Sequence, residues 1–337
     1  MNSPAPPPSA QVDPRRLLRD LSPYRAADTR RSLYELAVTA LPFAALWAAT
    51  VIALQAGHWL ALALALPAGV FLLRLFLIQH DCGHGAFFPG RSANDWVGRV
   101  LGVLTLTPYE YWRRSHAAHH AGTSNLDARG LGDLDTLTVA EFRARGRAGR
   151  LAYRLYRHPF VLFGIGPAYV FLLKHRLPVG MTGRATWASA MGTNVAIALA
   201  AGAAGWLIGW QVLLLAHIPI VLVAATLGVW LFYVQHQFER TLWDRQAQWS
   251  FHEAALFGSS HYVLPTALRW LSANVGLHHV HHLASRIPFY RLDEAMRALP
   301  ALRAIGRVGI AESLRSVRLV LWDEGKRRLV SFREARA

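Results

Sequence analysis

The 337-residue chain holds a single cysteine, Cys82, so it forms no internal disulfide and cannot on its own ligate an iron–sulfur cluster. Acidic residues are also scarce, with 20 Asp and Glu against 36 Lys and Arg, a formal charge of +16 and a pI near 11.0. No HExxH occurs, which removes the zinc-protease helix whose glutamate acts as general base. No nucleic-acid recognition motif accompanies the positive charge, and the basic residues are spread along segments that flank apolar runs, so no nucleic-acid partner is expected. The N-terminus lacks a signal-peptide pattern, and its Pro- and Ser-containing arm reads as disordered.

Charge itself is missing from long stretches. Ala37 to Gly57 carries none, Trp59 to Ile78 carries only Arg74, and nothing between Arg184 and Glu239 is charged. The composition is 53% hydrophobic with a mean hydropathy of +0.22. Runs of about twenty apolar residues suffice to cross a hydrocarbon core of roughly 30 Å. Four spans in two hairpins are therefore expected, at about 37–57, 59–78, 186–207 and 212–234, with Arg74 snorkelling to the interface. Shorter apolar segments near 94–106 and 158–173 read as interfacial or re-entrant helices. The predicted organisation is a basic, disordered arm (1–30), a membrane domain (31–290) and a basic cytoplasmic tail (291–337). Arginines crowd the N-terminal arm, the central loop and the tail, and the hairpin turns have none, so both termini and the central loop are expected in the cytoplasm.

What the chain has in excess is histidine, sixteen residues in all. Three clusters stand out: His80-Asp-Cys-Gly-His84, His116-Ala-Ala-His119-His120 and His278-His279-Val-His281-His282. Residues three or four apart on a helix share a face, so such imidazoles can close on one metal ion. Imidazole ligands without patterned carboxylates favour a transition metal over magnesium or calcium. Eight ligands exceed the four or so that one zinc ion takes, which points to two ions. All three clusters fall on the cytoplasmic side of the expected spans. In the third cluster, helical angles leave His279 and His281 as alternatives. His217 precedes His236 by nineteen residues, about 28 Å of helix, too far to share a site with it. His58, His158, His175, His252 and His261 lack ligand spacing and read as structural, as does Cys82.

The boxes HDCGH, HAAHH and HHVHH, with apolar hairpins between them, resemble those of the membrane fatty acid desaturase superfamily, and the three-residue gap in the first looks most like bacterial delta-12-type acyl-lipid enzymes. The resemblance covers about residues 30–290. It implies an all-α integral membrane protein whose four transmembrane helices carry a cytoplasmic helical domain with the histidine boxes. It further implies a non-haem di-iron centre held by His80, His84, His116, His119, His120, His278, His281 and His282, with His236 at the end of the fourth span as one further ligand. Two iron ions, dioxygen as co-substrate, a membrane lipid or acyl substrate and a separate electron donor, ferredoxin or cytochrome, complete the expectation, in a bacterial inner membrane. Hydroxylases and ketolases of alkanes, carotenoids and lipids carry similar boxes, so such a reaction is the alternative. A histidine-rich metal transporter would need ligands inside the spans, and these lie beyond them. Asp81, Asp127, Asp133, Asp135, Glu239 and Asn274 are candidates to hold the ligands' second nitrogens, with Asp127 and Asn274 favoured for their closeness in sequence. Trp112, Trp243, Trp249 and Trp270 are candidates to line an acyl tunnel or to anchor the interface.

Overall fold

In the computed structural model, residues 13–336 are described, apart from 131 and 182. Among the described residues, four helices are long and apolar enough to cross a membrane. They are α2 (Thr29–Gln55), a segment Trp59–Gly83 in which a 3-10 stretch (Trp59–Leu64) runs into α3 (Ala65–Gly83), α9 (Arg184–Ile208) and α10 (Trp210–His236). At 1.5 Å per residue a 27-residue helix is about 40 Å long, more than a hydrocarbon core requires. The excess lies chiefly at the end that carries histidine. There α2 starts at Thr29, capped by Asp28 accepting from Arg31 N at 2.7 Å, and α3 runs on through His80. The two hairpin turns sit together at the opposite end, where Gln55 Nε2 donates to the Ile208 carbonyl at 3.3 Å. Gly57 and Gly209 take the left-handed conformation these turns require (φ 83° and 89°).

The expected arm falls into two parts. Residues 1–12 lie outside the described residues. From Asp13 onward the chain is structured: Asp13 caps α1 (Pro14–Asp20), and Leu17 and Leu21 are buried in the main core, an anchor hidden in sequence among arginines.

Arg74 departs from expectation. It is 1% exposed, paired with the equally buried Glu35 of α2, hydrogen-bonded to Thr39 Oγ1 at 3.0 Å and to the Trp270 carbonyl, and stacked 4.2 Å from the Trp270 ring. Snorkelling fails because a carboxylate lies within reach inside the fold, and a buried charge is retained only where a partner satisfies it.

Beyond the histidine-bearing ends lies a helical layer. Helix α4 (Arg91–Leu104) packs on α3 and α9, and α5 (Tyr109–Gly122) packs on α3 and α9 as well. Next come α6 (Val139–Ala144) and α7 (Arg147–Tyr156). A helical segment follows in which α8 (Gly166–Ala168) is flanked by π turns at Val161–Ile165 and Tyr169–Leu173. It lies across α10 and α3 through Phe163 against Trp230 and Phe171 against Phe76, and Thr226 Oγ1 donates to the Phe163 carbonyl at 2.9 Å. After α10 come α11 (Phe251–Phe257), α12 (Thr266–Leu271), α13 (His278–Leu283), α14 (Phe289–Ala298) and α15 (Ile310–Ser316).

Among the described residues, five very short strands stitch this layer together. β1 (Leu137–Thr138) pairs in parallel with β4 (Leu321–Asp323), which pairs antiparallel with β5 (Arg328–Val330). β2 (His261–Tyr262) pairs in parallel with β3 (Arg307–Val308). The segment expected as a tail is thus folded back onto the central loop. Its Leu321, Trp322, Leu329 and Val330 are buried at 1% exposure or less, apolar area that a basic composition conceals.

Candidate metal centre

Four elements deliver histidine to one place. The last turn of α3 carries His80, with His84 as its C-cap; α5 carries His116, His119 and His120; α10 ends at His236; α13 carries His278, His281 and His282. They form two groups, each with one nitrogen per residue and all nitrogens within 4.8 Å of one another: His80, His84, His116, His120 and His281; and His119, His236, His278 and His282. The first box stays whole in the first group, and the other two are divided. On α5 the i, i+4 pair His116 and His120 faces the first group and His119 the second, and α13 divides in the opposite sense, with His281 in the first and the i, i+4 pair His278 and His282 in the second. The groups adjoin, with the His120 ring stacked 4.1 Å from that of His282.

The contacts within each group run nitrogen to nitrogen. Nε2 atoms approach at 3.0 Å for His84 and His116, 3.1 Å for His116 and His120, and 3.2 Å for His120 and His281. In the second group His278 Nε2 stands 3.0 Å from the Nε2 of both His236 and His282. Two imidazole nitrogens bound to one ion at about 2.1 Å stand about 3 to 3.4 Å apart. Several second nitrogens are already engaged: His80 Nδ1 with Asp81 Oδ1 at 3.1 Å, His119 Nδ1 with Asp133 Oδ1, and His236 Nδ1 with the Gly258 carbonyl at 3.2 Å. Those partners hold the proton on Nδ1 and leave the Nε2 lone pair directed inward. Facing lone pairs repel unless a cation lies between them, so this donor set fits a transition-metal ion in each group. Burial, followed by the repulsion of neighbouring imidazoles, pushes His278, His281 and His282 well below the ordinary histidine range and keeps them in the neutral form that ligates.

Comparison with known proteins agrees with this geometry. The family profile described as "Fatty acid desaturase" matches residues 57–311. A Bacillus subtilis protein named "Fatty acid desaturase" is 43% identical over 319 residues, 95% of this chain and 91% of that protein. The chain belongs to the fatty acid desaturase family. It is an enzyme of lipid metabolism, all-α in class, with histidine clusters that can bind metal. More distant similarity joins this desaturase to two Synechocystis proteins. One, named "sn-1 acyl-lipid omega-3 desaturase (ferredoxin)", is 29% identical over 68% of this chain and 65% of its own length. The other, named "sn-1 oleoyl-lipid 12-desaturase", is 28% identical over 68% of this chain and 66% of its own.

In the desaturase chain, the nine histidines singled out from sequence all stand in the two groups, and His279 stands in neither. Its Nε2 donates to the Leu302 carbonyl at 3.0 Å, its ring stacks on His261, and burial pushes it down to about 3. The favoured supporting residues do not reach the centre. Asp127 accepts from Arg245 and from Gln246 N, and Asn274 donates to the Phe289 carbonyl. Asp135 meets Arg157 and Tyr153 through its backbone carbonyl, and Glu239 is largely exposed. Asp81 and Asp133 touch the histidines instead, and Asp81 Oδ2 also accepts from Phe289 N at 2.6 Å, tying α3 to the start of α14. The Asp133 loop comes close because Gly132 (φ 80°) leaves room: a Cβ there would lie 2.8 Å from the Ser115 carbonyl oxygen. That glycine was the available sequence signal. Of the four tryptophans only Trp112 meets the centre, stacked 4.6 Å from His116 and tilted 5.6 Å from His80. Trp243 is buried with Leu126 and Trp322, Trp249 donates to the Thr123 carbonyl, and Trp270 covers Arg74.

Proposed function

We propose that this desaturase introduces a cis double bond into an acyl chain of a membrane lipid, using dioxygen and two electrons from a separate ferredoxin or cytochrome. The observation that carries this is the pair of adjoining, all-nitrogen histidine groups at the end of four apolar helices. Two iron ions are the proposed occupants, with His80, His84, His116, His120 and His281 as ligands to one and His119, His236, His278 and His282 as ligands to the other.

Bound there, iron would supply the oxygen activation that cleavage of an unactivated C–H bond demands. The chain's own residues supply the rest. Asp81, Asp133 and the Gly258 carbonyl hold the Nδ1 protons of His80, His119 and His236, which fixes ring orientation. Trp112 and Phe232 pack against the imidazoles and keep water from the faces they cover. The balance is R–CH2–CH2–R′ + O2 + 2 e⁻ + 2 H⁺ → R–CH=CH–R′ + 2 H2O, with two hydrogens leaving adjacent methylenes. The arginine-rich segments favour an orientation with the centre and both termini on the cytoplasmic side of a bacterial inner membrane.

Lipid analysis of a host expressing the chain tests the reaction. Added cis unsaturation that requires oxygen and is absent in His120→Ala is the expected result; a hydroxylated or ketone-bearing product with no change in double-bond count would overturn it. In a Cys82→Ser background, cysteines at Gly57 and Gly209 should label from outside the cell and one at Ala118 should not.

A further inference from the structure

The molecule has a second concavity, away from the histidines. Helices α4 and α9, with Glu110 of α5 also in the lining, form a groove of about 630 Å³, a volume within the range of small-molecule sites. Its α9 wall, from Ala185 to Ala196, is built of small residues, and Glu110 N donates to Ser189 Oγ at 3.2 Å between α5 and α9. Only 11% of the apolar window of α9 is buried by the rest of the chain, against 56% for Trp59–Gly83, so α9 has much uncovered apolar surface.

We propose that this groove seats one glycerophospholipid, separate from the metal centre and independent of the reaction assigned above. Three observations select that occupant. The first is length: Ala185 to Ala196 spans about 17 Å of helix, about half of a 30 Å hydrocarbon core, which is the depth of one leaflet. A partner transmembrane helix would follow the whole of α9, yet the groove stops at Ala196 and α9 continues to Ile208. The second is charge at the rim. Glu110 is satisfied by Arg113 at 2.6 Å, and Arg99 reaches it only at 3.7 Å, with 45% of its side chain exposed. A guanidinium so placed can take a lipid phosphate in its planar fork. The third is Trp96, 63% exposed at the same rim and 5.2 Å from the Arg99 guanidinium, an aromatic of the kind that sits at headgroup level. Helix α5 stands between this groove and the centre: Glu110 faces the lipid seat, and Trp112 and His116 face the metal groups.

Gly192 makes the test clean. It lines the groove, and a Cβ added there would meet nothing within 4 Å, so the Phe side chain of Gly192→Phe leaves the helix into open space and occupies the groove, and the change raises helix propensity. The full-length protein, purified in detergent from host membranes, should retain one phospholipid per chain by native mass spectrometry. Gly192→Phe should retain none, and Arg99→Gln should bind added phosphatidylglycerol about tenfold more weakly. Circular dichroism of both variants should match the parent, which separates loss of the seat from loss of the fold. Lipid retention unchanged in Gly192→Phe, no retained lipid in the parent, or a parental dimer that Gly192→Phe splits would each overturn the proposal. Product formation plays no part in this readout, so it can fail while the desaturase reading stands.

Discussion

The two histidine groups differ in access. In the group of five, His84, His116 and His120 are only partly buried, whereas all four histidines of the second group are buried. Their supports differ too. The closed group has an aspartate and a backbone carbonyl on its Nδ1 atoms and Phe232 packed against His119 and His236. The open group has Asp81 on His80, and Trp112 stacked on His116. An ion bound in the closed group would have buried ligands on every side, and one bound in the open group would be more accessible. The proposed centre is therefore asymmetric in burial, one half more enclosed than the other.

The largest expected effect breaks the closed half. His282→Ala removes one of four donors from a site with no spare, and should reduce product formation to background with the loss of one iron per chain by elemental analysis. His84→Ala, which leaves four donors in its group, should retain more iron than His282→Ala does; equal loss in the two would remove the proposed asymmetry. Next in size is Asp133→Asn. It keeps the shape but no longer holds the His119 proton with a charge, and should weaken metal retention by about 10- to 100-fold in a chelator titration. The same titration of the unmodified protein sharpens the comparison, since the first equivalent of iron should leave quickly from the open group and the second slowly.

The smallest effect concerns pH and a histidine outside the centre. His175 is buried between Tyr111 and Phe171, and burial, then the neighbouring Arg176 and Lys174, pushes it down to about 3. The unfolded chain takes up this proton near pH 6.5 and the folded chain does not. Stability contributed by the site is thus unaffected above pH 6.5 and falls as pH drops from 6.5 toward 3. Thermal melts of the parent should decline over that window more steeply than those of His175→Gln.

Much was legible in the amino-acid order because the relevant signals are local. A span is a run of uncharged residues, and an i, i+4 histidine pair shares a helix face whatever surrounds it, so the four long helices and the three boxes could be read directly. Helix ends were less legible: the limits of a hydrocarbon core mark where apolarity stops, and the backbone hydrogen bonds of α2 and α3 continue past it. Arg74 and the C-terminal strands were misread because composition reports charge and not partners. Glu35 lies 39 residues from Arg74, and Trp322 finds its cover in the central loop.

By itself, then, the chain's sequence determined its class, its spans and its supply of imidazole ligands. Helical angles leave His279 and His281 open and the family resemblance selects His281, whereas only the tertiary structure decided how the boxes divide into two groups and that Asp81 and Asp133, not Asp127 and Asn274, support the rings. The reason is geometric. His120 and His281 are 161 residues apart and meet at 3.2 Å, and such a meeting is set by the packing of α5 against α13 and α3, which no local periodicity encodes.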